Sequence, residues 1–472
     1  MPPIQSRHSQ GPSAGVVLAA ALAAAVAPSC GDSGGGDGGA TLSASGSAGT
    51  ATGESSSSGS GSGSSSGSGS GSTSTSGSGS SDPTAASASE SEGGPKFDVG
   101  AGGDLGVVDC VSMCGSADFS YIWIANSGES TVSKINTRTL VEEGRYLTRD
   151  TPGNPSRTSV SVDGRAVAVA NRNGGVIKIW ARPEECKGPN TSTGAGDVKA
   201  WGTDDCVAWY TAFPEARSQR PVAWTTGVQN PDTCEWENQK VWTAEGRSPG
   251  MMGQGGFCTD DKVYVHRLDG ASGAVEETVV VPLPCTTFGV YGGVVDATND
   301  LWLTRLFEGS PGALRIDYET LEIESIGPFY GYGITVDHEG RIWGGTGVPG
   351  RWDPKAQQWQ AIAGSIQNAG VGLAEDHQGR MWVGIVGGIQ AVDVDTLALT
   401  DKVLFDGEAV QCKGISVDVD GFIWAVPDSQ DRAYRVDPDD LSYVKIGGLV
   451  GAYTYSDMTG GALKSVACNP PG

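Results

Sequence analysis

A unit of about 40 residues, with an Asp placed six positions ahead of a Trp, recurs along the C-terminal half of the chain. Four stretches align without gaps in their centres: GGVVDATNDLWL, GITVDHEGRIWG, VGLAEDHQGRMWV and GISVDVDGFIWA. Trp302, Trp343, Trp382 and Trp424 are separated by 41, 39 and 42 residues, and Asp296, Asp337, Asp376 and Asp418 keep the same gaps. A second Asp follows each Trp: Asp317, Asp353, Asp393 and Asp437. A fixed period of this length is the mark of a repeat architecture, in which each unit buries its faces against its neighbours.

Within a unit the pattern is stranded. Short alternating runs (TVD, SVD) precede an Asp-containing turn, an apolar run carries the Trp, and two further short strands follow a Gly/Pro-rich loop. Four strands per unit, with no helical period, predict an all-β propeller of four-stranded antiparallel blades. YIWIANS, AVAVANR and KVWTAEG extend the register upstream, with Trp123, Ala168 and Trp242 at the Trp position. Seven such positions predict seven blades, with six or eight as alternatives. The two long gaps predict insertions at about 183–205 and 246–261. The first unit lacks a good innermost strand, and GAYTYSDMTG near the C-terminus repeats the Asp-x-x-Gly signature at Asp457–Gly460. Residues 451–457 are therefore expected to close the ring as the inner strand of the first blade, which removes free sheet edges.

The Gly-x-x-x-Asp-x-x-Gly-x-x-Trp unit resembles the repeats of streptogramin lyase and related NHL-type propellers, best over residues 285–450. The resemblance implies a propeller and, for the lyase, metal-assisted elimination by His and Glu at the channel mouth. The family's Glu, three residues after the Trp, is matched here only by Glu245. The other positions read Asn126, Asn171, Arg305, Thr346, Ile385 and Pro427. His8 lies in the leader, His338 and His377 in repeat turns, and His266 in a third strand, so no His is placed to act as a base at the mouth. Asp418-Val-Asp420-Gly421 lacks the spaced carboxylates of a calcium loop and reads as the repeat turn. No nucleophile elbow or Cys/His metal box is present.

Residues 1–30 read as a signal peptide: a basic Arg7, an apolar run of 14 residues from Ala14 to Ala27, then small residues. Ala27-Pro28-Ser29-Cys30 resembles a bacterial lipobox, which implies lipidation at Cys30; plain signal cleavage is the alternative. Residues 31–95 are a disordered tether, since 25 of the 30 residues from Ala51 to Ser80 are Ser or Gly. Leader, tether and acidic propeller together resemble the surface lipoproteins of myxobacteria. Residues 96–472 are the propeller. It carries 30 of the 31 basic and 49 of the 55 acidic residues of a chain with net charge −24, which excludes nucleic acid as a partner.

Nine Cys follow Cys30. In an exported chain these are expected to pair. Cys234 and Cys258 flank opposite ends of one strand and are too far apart to bond. Cys258 is expected to pair with Cys285, and Cys186 with Cys206, with Cys234 as a rival partner for the latter two. Cys110, Cys114, Cys412 and Cys468 stay unassigned, and one thiol is left over.

The expected function is that of a lipid-tethered module binding a small molecule or protein; a metal-dependent propeller lyase or lactonase using Glu245 is the alternative. No cofactor is expected, a divalent cation being the one ion left open. The binding face is expected at the mouth formed by Asn126, Asn171, Glu245 and Arg305 with Tyr291, Tyr330, Tyr332 and Tyr453. Met251 and Met252 lie in an insertion on the same face.

Overall fold

A computed structural model describes Cys110 and residues 118–468, other than 249–257, 286–287, 307–311, 328–330, 345–348, 363, 365, 367–371 and 409. Cys30, the leader and the tether lie outside the described residues, as do Cys114, Met251, Met252, Tyr330 and Thr346.

The chain forms a β-propeller of four-stranded antiparallel blades. Five sheets stand alone. Sheet A comprises Pro155–Val160, Ala166–Asn171, Val176–Trp180 and Val207–Thr211. Sheet B comprises Ala216–Trp224, Lys240–Arg247, Val263–Asp269 and Val275–Val281. Sheet C runs Val290–Val295, Leu301–Arg305, Ala313–Ile316 and Ile323–Ile326. Sheet D runs Ile334–Val336, Ile342–Gly344, Gly350–Asp353 and Gln358–Ala361. Sheet E runs Leu373–Glu375, Arg380–Ile385, Gly388–Asp393 and Leu399–Leu404. Seven separate blades were expected, but apart from one two-stranded hairpin the remaining strands share one seven-stranded sheet. In it Cys412–Val417, Ile423–Pro427, Gln430–Val436 and Tyr443–Ala452 lead into Tyr121–Asn126, Thr131–Asn136 and Glu142–Leu147. The join is a single pair, Asn126 with Ala452.

The first strands of successive sheets touch one another from Pro155–Val160 through Ala216–Trp224, Val290–Val295, Ile334–Val336 and Leu373–Glu375 to Cys412–Val417. They thus surround a common axis, while outer strands such as Val275–Val281 face solvent. Beyond the last strand, Tyr453 N donates to Ala125 O and Met458 O accepts from Trp123 N, both at 3.0 Å. The opposite side of this segment passes so close to Cys412–Val417 that a Cβ on Gly414 would collide with the Thr454 carbonyl. The helix Gly461–Cys468 follows, with Leu463 and Val466 buried.

The six-residue Asp-to-Trp spacing has a structural cause. Indole Nε1 of Trp302, Trp343 and Trp382 donates to Asp296, Asp337 and Asp376 at 2.7 Å, and Trp424 donates to Asp418 at 2.8 Å. The other carboxylate oxygen accepts two backbone N–H groups of the intervening turn, as from Glu339 and Arg341 to Asp337. One Asp thus shapes the hairpin and satisfies a buried indole, which would otherwise be costly. The second Asp of each repeat caps the turn between third and fourth strands; Asp317, for example, accepts from Glu319 and Thr320 N. Four residues after these Asp, Leu321, Gln357, Leu397 and Leu441 all sit at positive φ, as a type I turn with a bulge requires.

Disulfides join Cys186 to Cys206, Cys258 to Cys285 and Cys110 to Cys234. Such bonds form and persist chiefly in oxidising compartments, which favours an extracellular or periplasmic location for this part of the chain. The last pair anchors a hairpin, Val228–Gln229 with Trp236–Glu237, inserted between the first two strands of sheet B. The long gap before Trp242 therefore contains this hairpin as well as the insertion near 183–205. Cys412 is a buried free thiol, pushed up to about 12 by burial, so it is inert at neutral pH.

Candidate functional site

An aromatic cluster of Phe288, Tyr291, Leu306, Tyr332, Tyr453 and Tyr455 fills one end of the axis. Strand alternation brings it together: Tyr453 and Tyr455 lie two residues apart on the segment after Ala452, and Tyr291 belongs to a first strand. Tyr291 and Tyr455 stack with centroids 5.6 Å apart, and Tyr332 meets Tyr455 at 4.5 Å. The hydroxyls of Tyr291 and Tyr332 converge on that of Tyr453.

Four cations surround these rings. The Arg157 guanidinium lies 3.5 Å from the Tyr455 ring centre, and Arg172 lies 4.1 Å from that of Tyr453. Arg220 stands 4.6 Å from the Tyr291 ring, and Lys413 4.7 Å from that of Tyr453. Arg157 and Arg220 are fully buried and Arg172 is 3% exposed. Lys413 is paired with Asp428 at 2.9 Å. Arg157 donates only to carbonyls, those of Tyr332 at 3.0 Å and Tyr455 at 3.4 Å, and its Nε has no partner. Arg172 donates to the Asn154 side chain, while its Nε and Nη2 are buried without partners. Burial lowers the Arg157 pKa. A guanidinium nonetheless stays charged in proteins. Burial pushes the Tyr453 phenol up to about 12 and Tyr332 well above its ordinary value, so neither supplies a negative charge.

Of the residues expected at the mouth, Tyr291, Tyr332 and Tyr453 meet in this cluster and Tyr330 lies outside the described residues. Arg305 is half-buried, its pKa lowered by burial, and its carbonyl accepts from Gly331 N beside Tyr332. Asn126, Asn171 and Glu245 do not line a mouth: each is buried and bonded to protein groups beside it. Asn126 donates to Thr131 and Ser133 and accepts from Val450 N at 3.1 Å, so it stitches the single-pair join. Asn171 donates to Gly175 O in its own hairpin and exchanges bonds with Thr148, which follows a strand of the seven-stranded sheet. The physical reason is position: the end of a second strand opens into the next hairpin, whose donors and acceptors capture the side chain. Tyr332 is only 5% exposed, so its truncation to Ala carries a packing cost. Arg157, Arg172, Arg220, Lys413 and Tyr455 were missed. A signal existed in the column five residues before each repeat Asp, which reads Tyr291, Tyr332, Val371 and Lys413.

Glu245 has a histidine neighbour that the sequence reading did not pair with it. Its Oε1 lies 3.3 Å from His266 Nε2 and accepts from Arg247 at 2.6 Å, while His266 Nδ1 is 2.9 Å from Thr278 Oγ1. Both imidazole nitrogens are therefore occupied, and the pair is buried on second and third strands away from the axis. Among the described residues no three His, Cys, Asp or Glu side chains converge to hold a metal.

Toward the other end the axis contains a cavity of about 40 Å³ between the first strands and the helix Gly461–Cys468. Asp457 caps that helix by accepting from Leu463 N at 3.2 Å. Glu375, which lines the cavity, bonds His338 of the neighbouring sheet at 2.5 Å. Burial works against protonated His338, but the hydrogen bond and charge of Glu375 outweigh it and raise its pKa. Burial also raises the pKa of Glu375. A raised His pKa contributes stability that is full below about 6.5 and lost as pH rises through the folded value. A raised Glu pKa likewise favours the acid side. Melting temperature is expected to fall from pH 6 to pH 9, with a shallower fall in His338→Gln; equal slopes in the two proteins would refute the assignment.

No protein-family model and no curated protein matches the sequence. Among solved structures, a streptogramin B lyase aligns over 68% of this chain and 93% of its own at 14% identity, with a TM-score of 0.45. Apo AztD from Citrobacter koseri aligns over 72% and 98% at 12% identity, TM-score 0.43. A catalytically inactive virginiamycin B lyase from Staphylococcus aureus with quinupristin aligns over 70% and 89% at 12% identity, TM-score 0.45. Likeness at this level says nothing of chemistry.

Proposed function

We infer that the chain is an exported, lipid-tethered, seven-bladed propeller that binds a ligand at the tyrosine-lined end of its axis. Seven blades are supported by the long sheet, which divides into four strands over 412–452 and three over 121–147. Closure is supported by the two hydrogen bonds that tie residues 453 and 458 to the strand Tyr121–Asn126. The observation that carries the binding reading is the cluster of four tyrosines with partly unpartnered arginines, convergent polar groups in an apolar setting. A metal-dependent lyase is the second reading, favoured only by the buried, unpartnered Oε2 of Glu245.

Thermal shifts of the full chain separate the two. The binding reading expects small organic molecules to raise the melting temperature and Arg172→Ala to abolish the rise. A rise given by divalent cations alone, and lost in Glu245→Gln, replaces it with the lyase reading. The tether has its own test: Cys30→Ser is expected to move the protein from the membrane to the soluble fraction with its melting temperature unchanged. Continued sedimentation with lipid would remove Cys30 as the anchor.

A further inference from the structure

We propose that the ligand of the axial site is an oxyanion, a small carboxylate- or phosphate-bearing molecule gripped by Arg157 and Arg172 above the tyrosine rings. This rests on reading that end of the axis as a binding site. The folded part of the chain is acidic, with 49 acidic residues against 30 basic, yet four cations collect at one point of its axis. Among the described residues the carboxylate bonded to this group is Asp428, and it pairs with Lys413. Arg157 and Arg172 are offered carbonyl and amide oxygens, which carry no net charge.

A buried guanidinium without a counter-charge is costly. Stacking on Tyr455 and Tyr453 repays part of that cost but leaves the edges of the planar forks unused, since a cation–π contact engages the face of the cation. The unused edges are Arg157 Nε and Arg172 Nε and Nη2, all buried. An oxyanion is the acceptor that matches such edges, because its paired oxygens take parallel N–H bonds and its charge balances the forks. The neutral hydroxyl of Tyr453, with Lys413 Nζ 3.5 Å away, adds a donor set of the same sign. A cationic or neutral ligand would leave the guanidinium charge unbalanced.

The test is titration calorimetry and thermal shift of the full chain with inorganic phosphate and with citrate at constant ionic strength, chloride serving as the control. The expected result is a higher melting temperature with one or both anions than with chloride, and binding at least about ten-fold weaker in Arg172→Gln. Phosphate alone or citrate alone identifies which source of the oxyanion the site prefers. Because Arg172 is buried, Lys413→Gln is the second variant; it sits at the edge of the same cluster and is expected to weaken binding in the same direction. Equal shifts from chloride, phosphate and citrate, or unchanged affinity in both variants, overturn the proposal. Neutral aromatic molecules binding where the anions do not would overturn the oxyanion while leaving the binding module standing. If neither class binds, the binding reading itself fails.

Discussion

Deletion of residues 452–472 is expected to abolish cooperative unfolding. The deleted segment carries the Tyr453 and Met458 backbone bonds to Tyr121–Asn126, and Ser456, whose side chain bonds both Thr158 N and Thr158 O. It also carries Tyr455, Met458, Leu463 and Val466, all almost wholly buried. Burial of these side chains is worth on the order of 10 kcal/mol. That equals the whole stability of a typical domain, about 5–15 kcal/mol. The strand holding Trp123 would in addition be left as a bare edge at the axis, open to aggregation. Circular dichroism melts of the full and truncated chains are the measurement. A truncated protein melting sharply within a few degrees of the full chain would remove the ring-closure reading.

Asp337→Ala is expected to be the most damaging single change in the repeats, at about 3–5 kcal/mol. Asp337 is fully buried and accepts from Trp343 Nε1 and Arg341 Nε, each at 2.7 Å, and from the backbone of Glu339 and Arg341. Removing it strands an indole N–H, leaves the largely covered Arg341 guanidinium with Asp395 as its remaining carboxylate partner, and frees the turn. In a domain of this size the melting temperature should drop by roughly 4–7 °C. Asp353, whose carboxylate accepts only the turn N–H groups of Lys355 and Ala356, serves as the internal comparison. Its change to Ala should cost about 1 kcal/mol. Comparable losses for the two variants would refute the assignment of the six-residue spacing to the buried indole bond.

The same two Asp columns mark how far the residues alone were informative. Turn chemistry and the indole bond act within about ten residues, so the Asp-to-Trp spacing reports local geometry wherever it recurs. Cys258 and Cys285 were assigned to one face from strand order alone, and they are joined in the structure. The Cys110–Cys234 bond was not assignable, because it ties a segment outside the repeats to a hairpin that breaks the register.

Period, strand count per unit and the covalent logic of the insertions were thus determined by the sequence by itself, since each depends on neighbours along the chain. The site was decided by tertiary structure. Asn126, Asn171 and Glu245 hold equivalent places in the repeat, and the repeat register nominated all three for the mouth; the hairpin beside each Asn, and Arg247 with His266 beside Glu245, captured them instead. The cationic cluster draws Arg157, Arg220, Tyr291, Tyr332, Lys413 and Tyr455 from positions up to about 300 residues apart, on or beside the first strands of several sheets. Only the radial stacking of sheets brings these positions to one axis. Charge and burial are properties of that assembled point, and no window of the linear chain contains them.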